Sequence, residues 1–338
     1  MTWLLRGTAG VGTGGVTFIE AWSWATPVVD ANWLAPLAFA GVVGMSYVLV
    51  IGLAGLVVAG IAAAARMFLT AGVAAAGTAI ATGPLIAVWL TGSATVPPAS
   101  GAAEIVVLSA NVLYGRADIP TLVGDIERVS PDVVLIQEPT PGFERDLIEA
   151  IGGDYPHIVR ASRPDATGQT TLSRLPFARP PAVRLVDAGS KTVADWPQIG
   201  VWVEVGAAEA ELWNVHLIPP VGFRQMRAQD GMARGFAEKL DESTADAIVL
   251  AGDFNAPERS SPLRRLTSRG AESVHHGRGR VFEWTWPVSK ALLLRTRIDQ
   301  ALAAGRGGTA AVWVDGGRGS PNGSDHRPVW GRLAITPR

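Results

Sequence analysis

The stretch EIVVLSANVLYGRADIPTLVGDIERVSPDVVLIQE, residues 104–138, holds the pattern from which the fold is read. Ile105-Val106-Val107-Leu108 is an unbroken apolar run rich in β-branched residues, which predicts a buried strand. Over 117–129 the spacing changes, and Ile119, Leu122, Ile126 and Val129 recur at helical intervals. Asp132 to Ile136 then gives a second strand. The same alternation continues downstream, with strands predicted at 199–205, 211–216, 247–252, 297–303 and 311–314 and helices near 141–150 and 222–240. These elements imply an α/β sandwich with polar groups placed at strand ends.

Upstream of this region the chain has a different character. Residues 1–99 contain only Arg6, Glu20, Asp30 and Arg66, whereas the remainder carries 27 Lys+Arg and 28 Asp+Glu. Between Asp30 and Arg66 lie 35 uncharged residues, and between Arg66 and Glu104 another 37. Each run exceeds the roughly 20 apolar residues that span a bilayer. One span is expected near 38–62 and another near 68–91, with Arg66 in the turn between them. A further span over 8–28 would have to bury Glu20, so two or three helices are both open. The expected organisation is a transmembrane segment over 1–92, a Gly/Pro/Ser-rich linker over 93–103 and a catalytic domain over 104–338. Arg66 in a short loop argues that this loop is cytoplasmic, which makes the protein a multi-pass cell-membrane protein with an extracytoplasmic domain.

The chain has no cysteine, which excludes disulfides, thiolate metal sites and a cysteine nucleophile. The near balance of charge after residue 100 is not the basic footprint of a protein that grips long nucleic acid through its phosphates. Only three lysines occur, Lys191, Lys239 and Lys290, so phosphate contacts would fall mainly to arginine.

Polar groups fall at or just after the predicted strands: Asn111, Glu138, His216, Asp253 with Asn255, Asp299, and Asp325 with His326. Carboxylates with an amide and imidazoles suit a hard divalent cation such as Mg²⁺ or Mn²⁺, and the inventory fits phosphoryl chemistry. Taken singly, each has an ordinary reading. Glu138 would be a solvated strand end, His216 a satisfied buried histidine, and Gly252-Asp253-Phe254-Asn255 a turn. His275 and His276 precede a Gly/Arg-rich stretch and read as loop residues.

In sequence order, Ser109-Ala110-Asn111, Ile136-Gln137-Glu138, Trp213-Asn214-Val215-His216-Leu217, Gly252-Asp253-Phe254-Asn255, Arg297-Ile298-Asp299 and Ser324-Asp325-His326-Arg327-Pro328 resemble the successive motifs of the endonuclease/exonuclease/phosphatase superfamily. Leu172 to Pro176 and Thr285-Trp286-Pro287 resemble its weaker motifs. The resemblance implies a four-layered αββα sandwich (DNase I-like), here preceded by the transmembrane helices. It also implies that Glu138 is the principal metal ligand, with Asn111 and Asp325 completing the metal site. His216 would hydrogen-bond the scissile phosphate, and Asp253 with Asn255 would position the attacking water. His326 would act as general base or phosphate-stabilising imidazole, its tautomer fixed by Asp299 or Asp325. Whether Asp253 or His326 takes the proton stays open, because coupled groups share their titration.

Three functions follow from this reading. The first is an outward-facing hydrolase of a phosphoester or pyrophosphate, carried by a lipid or envelope molecule in the bilayer to which the enzyme is tethered. The architecture is similar to the VanJ-like branch, which is tied to glycopeptide resistance and suggests undecaprenyl-type lipid pyrophosphates. The second is a membrane-tethered nuclease, and the third a catalytically dead binding module, against which the retained acids and imidazoles argue.

Overall fold

The computed structural model describes residues 48–65, 68–91, 97–185, 196–275, 283–289 and 295–336. After two N-terminal helices, the rest of the described chain forms two six-stranded sheets. The first sheet contains β1 (Ala103–Asn111), β2 (Val133–Gln137), β3 (His157–Ala161), β4 (Gln169–Ser173), β11 (Ala310–Arg318) and β12 (Val329–Thr336), in the order β11-β12-β1-β2-β4-β3. The second contains β5 (Ala182–Leu185), β6 (Pro197–Val205), β7 (Ala208–His216), β8 (Ala247–Asp253), β9 (Glu272–Ser273) and β10 (Asp299–Gly305), in the order β5-β6-β7-β8-β10-β9. Each sheet is mixed. β1 and β2 are parallel, as are β7 and β8, and the other pairs are antiparallel.

Three apolar layers stack these parts. Between the sheets, Ile105, Val107 and Leu135 face Val201, Leu212 and Val249. On the outside of the first sheet lie α3 (Ile119–Val129) and α4 (Pro141–Ile151), which bury Leu122, Ile126, Phe143 and Leu147 against Leu108, Val134 and Ile136. On the outside of the second lie α5 (Phe223–Glu242) and α6 (Ser261–Thr267), packing Met232, Phe236 and Leu263 on Trp213 and Leu250. Strands sandwiched in this way are covered on both faces, which is why they read as continuous apolar runs. The result is the expected four-layered αββα arrangement.

Local chemistry sets the element ends. The helix expected over 117–129 starts at Ile119, because the Asp118 carboxylate accepts from the Thr121 amide as an N-cap, and Pro120 fits the first turn. The strand expected over 311–314 runs on to Arg318 through an irregularity between Trp313 and Asp315. β4 has no apolar run to announce it. Its Gln169, Thr170, Thr171 and Ser173 are buried, and polar bonds rather than hydrophobic alternation hold it.

The N-terminal helices are α1 (Val48–Ala64) and α2 (Phe68–Thr91). They pack closely because Gly52 and Gly55 have no side chain; a Cβ at Gly55 would lie 2.5 Å from Thr78 Oγ1. Thr78 itself donates to Ala74 O and Gly52 O. Here the structure departs from the expected transmembrane segment: among the described residues, no helix is long and apolar enough to cross a membrane. Residues 1–47 and Arg66, which hold the start of the span expected near 38–62, the span over 8–28 and the charges of the orientation argument, lie outside the described residues.

Candidate active site

Strand register brings the polar groups to one rim. In the second sheet His216 pairs with Asp253 across β7 and β8, and Asp253 pairs with Asp299 across β8 and β10, so three functional side chains stand abreast. In the first sheet Asn111 pairs with Gln137, and Glu138 follows immediately. Glu138 and Asn255 both adopt left-handed backbone, with φ of 61° and 47°. This conformation is costly for such residues and persists where surrounding bonds fix it. At Glu138 those bonds are the Tyr114 amide on Oε2 and the Asn111 amide on Oε1.

Asn111 joins the two sheets at the site. Its Nδ2 donates to Glu138 Oε1 at 3.0 Å and to Asp253 Oδ2 at 2.9 Å, while its Oδ1 accepts from the Leu113 amide. Behind it, Gln137 Nε2 donates to Asn214 Oδ1 at 2.6 Å, and Asn214 Nδ2 donates to Ile136 O and Thr170 O. Asn255 donates its backbone N–H to Asp253 Oδ1 and its side chain to Leu217 O.

The two imidazoles stand in opposite electrostatic surroundings. Burial holds the His216 ring down to about 3, with added repulsion from His326; Nδ1 has no hydrogen-bond partner and Trp196 packs edge-on at 5.0 Å. Its Nε2 lies 3.7 Å from Glu138 and 3.8 Å from Asp253. Burial alone would also lower His326, but the Asp299 and Asp253 carboxylates outweigh it and hold the ring up to about 10. His326 Nδ1 is 3.0–3.1 Å from both Asp299 oxygens, and its Nε2 is 3.8 Å from Asp253 and from Asp325. Burial pushes Asp253 up to about 7 against the pull of His326, with Asp299 and Glu138 adding repulsion; burial also raises Glu138.

The Endonuclease/Exonuclease/phosphatase family profile matches residues 108–326, which contain every one of these groups. The chain belongs to that family. Solved structures similar to it include the endonuclease/exonuclease/phosphatase from Beutenbergia cavernae DSM 12333, with 19% identity, 69% of this chain and 72% of that chain covered, and a TM-score of 0.53. The Bacteroides vulgatus endonuclease/exonuclease/phosphatase has 14% identity, covers 68% of this chain and 98% of that chain, and scores 0.54. D. rerio TDP2, described as complexed with single strand DNA product, has 15% identity, the same coverages and a TM-score of 0.52. At these identities the likeness shows the fold. No curated protein matches the chain.

Membership makes the chain a metal-dependent phosphoesterase. Its residues fit a cation: Glu138, His216 and Asp253, and again Asp253, Asp299 and His326, each offer ligand atoms within 4.8 Å of one another. A fully buried Asp253 raised to about 7 and a raised Glu138 mean that the cleft carries its negative charge poorly without a positive partner. Oxygen donors with imidazole suit a hard divalent ion.

Of the residues expected at the metal, Glu138 lies in the first of these groups. Asn111 turns its NH₂ toward the carboxylates, so it orients them. Asp325 belongs to neither group and sits beside His326, where Oδ2 accepts the Trp286 indole N–H at 2.9 Å and the buried Oδ1 has no hydrogen-bond partner. Between the two acids proposed to fix His326, the Nδ1 geometry selects Asp299. His275 is a loop residue, as expected, but an enclosed one. It lies in a turn after β9, is 3% exposed, and burial holds it down to about 4; His276 lies outside the described residues. Two contributors went unassigned in the sequence: Thr285, whose Oγ1 accepts from the Ile298 and Asp299 amides, and Ser324, whose Oγ donates to Asn111 O. Both stand inside quoted motifs, which was the available signal.

Proposed function

We propose that the chain uses Mg²⁺ or Mn²⁺ to hydrolyse a phosphoester or pyrophosphate carried by a lipid or cell-envelope molecule, at the outer surface of the cell membrane. The observation that carries this reading is the exposed apolar face of the helical hairpin. Leu56, Val57, Phe68 and Leu69 are 52%, 56%, 72% and 84% exposed, and no charged residue occurs among the described residues of α1 and α2. Such a surface marks contact with an apolar environment. Together with the 35- and 37-residue uncharged runs, it supports membrane association and a tether. The resemblance to the VanJ-like branch favours an undecaprenyl-type lipid pyrophosphate.

The chain's own groups divide the work. Asp253, whose Oδ1 accepts the Asn255 backbone N–H, takes the proton of the attacking water, which Asn255 helps to orient. His326, held as a cation by Asp299, donates from Nε2 to the phosphate, and neutral His216 donates a second bond. A divalent cation, when bound, neutralises charge on the phosphate oxygens.

A second reading is a membrane-tethered nuclease, favoured by the described DNA product complex of the structurally similar D. rerio TDP2. The test uses the full chain in lipid nanodiscs with Mg²⁺ or Mn²⁺, offered a polyprenyl diphosphate and plasmid DNA. Phosphate release from the diphosphate, intact plasmid and no activity in Glu138→Ala are expected. Cleavage of the plasmid with the diphosphate untouched would install the nuclease reading instead.

A further inference from the structure

His216 is held in the cleft differently from its neighbours. The side chains of Glu138, Asn255 and His326 are each fixed by hydrogen bonds, to the Tyr114 and Asn111 donors, to Leu217 O and to Asp299. The His216 ring has no such bond. Its Nδ1 has no partner, and its Nε2 lies 3.7 Å from Glu138 Oε1 and 3.8 Å from Asp253 Oδ2, beyond hydrogen-bond reach. The direction of the ring therefore follows from where the end of β7 places the backbone, and from Trp196 packed edge-on at 5.0 Å.

That backbone is gripped by a side chain. β6 and β7 pair from Val205↔Ala208 to Ile199↔Asn214, and the same register continued sets Pro197 opposite His216. Proline has no N–H to give, so the ladder cannot close there. The Gln198 amide closes it instead: Oε1 accepts the His216 N–H at 2.8 Å, and Nε2 donates to His216 O at 3.0 Å. Nε2 also donates to Pro197 O at 2.9 Å, so one amide bridges both strands. Gln198 is fully buried, where a polar side chain holds a single geometry only with its bonds made. Trp196, Pro197 and Gln198 are consecutive, and this short stretch carries both the packing partner of the ring and the clamp on its backbone.

We propose that Gln198 is the positioning residue of His216: its amide fixes the end of β7 so that the imidazole, seated against Trp196, is aimed into the cleft. The inference rests on reading His216 as a donor to the phosphate. A ring without a hydrogen bond of its own moves with its backbone, so loss of the clamp misplaces the donor.

The experiment uses the full chain with Mg²⁺ and bis(p-nitrophenyl) phosphate. Gln198→Met is expected to lower kcat/KM roughly tenfold or more, yet to change it less than about twofold when His216 is already alanine. It is also expected to shift the His216 ring-proton signals in NMR, which lie beside the Trp196 ring, more than those of His326. Equal losses in the two backgrounds, or unmoved His216 signals, would overturn the assignment. Gln198→Glu, which keeps the side-chain volume and the acceptor for the His216 N–H, is read in the same way if Gln198→Met does not fold. The two readings also fail separately. A fully active His216→Ala, with the His216 signals still moved by Gln198→Met, removes the phosphate role of His216 alone. An inactive His216→Ala beside unmoved His216 signals in Gln198→Met removes the role of Gln198 alone.

Discussion

Asp299 has no direct contact with substrate in this account; it acts through His326. Both its oxygens lie 3.0–3.1 Å from Nδ1, and it is the largest influence raising the ring toward about 10. Asp299→Asn is expected to drop the His326 titration measured by NMR toward the ordinary value near 6.5, and to reduce kcat by roughly 10²–10⁴-fold. An unchanged rate would mean that the imidazole needs no carboxylate behind it. His275 gives a prediction of opposite sign. Its pKa is held near 4 by burial, below an unfolded value near 6.5, so it folds neutral. Its stabilising contribution is complete above about pH 6.5 and is lost as the pH falls through the range from 6.5 to 4. In urea unfolding, the wild type should lose up to about 3 kcal/mol relative to His275→Phe across that window. Parallel stability curves would place the acid sensitivity elsewhere.

Register is the device by which elements build the site. His216, Asp253 and Asp299 are cross-strand partners in three adjacent strands, and Asn111 beside Gln137 faces them from the other sheet. The two sheets are pinned together at this point by Gln137 and Asn214, buried amides that bond across the interface. Asn214→Leu leaves Ile136 O and Thr170 O without that donor, so a loss of roughly 2–4 kcal/mol is expected in chemical denaturation, with a weaker effect on metal affinity. Strands such as β2 and β8 were legible in the sequence because burial on both faces leaves uninterrupted apolar runs. β4 was not, because its buried residues are glutamine, threonine and serine, whose partners lie in distant strands. Most site residues were legible because they follow apolar runs. What sequence spacing lacked was geometry: that Asp325 stands outside both candidate metal groups, that Asn111 bonds both carboxylates, and that His275 is enclosed.

At the scale of the whole molecule, two parts of different chemistry share one chain. The uncharged hairpin turns leucine, valine and phenylalanine outward, whereas the sandwich covers its sheets with helices and gathers acids and imidazoles at one rim. Catalysis depends on that rim holding one cation-dependent centre. An anomalous difference map from crystals of the full chain soaked in Mn²⁺ tests this directly. The expected result is a peak touching Glu138 and at least one of Asp253 and His216, absent in crystals of Glu138→Ala. A cleft without a peak at saturating Mn²⁺, or a peak held by none of these residues, would contradict the central claim.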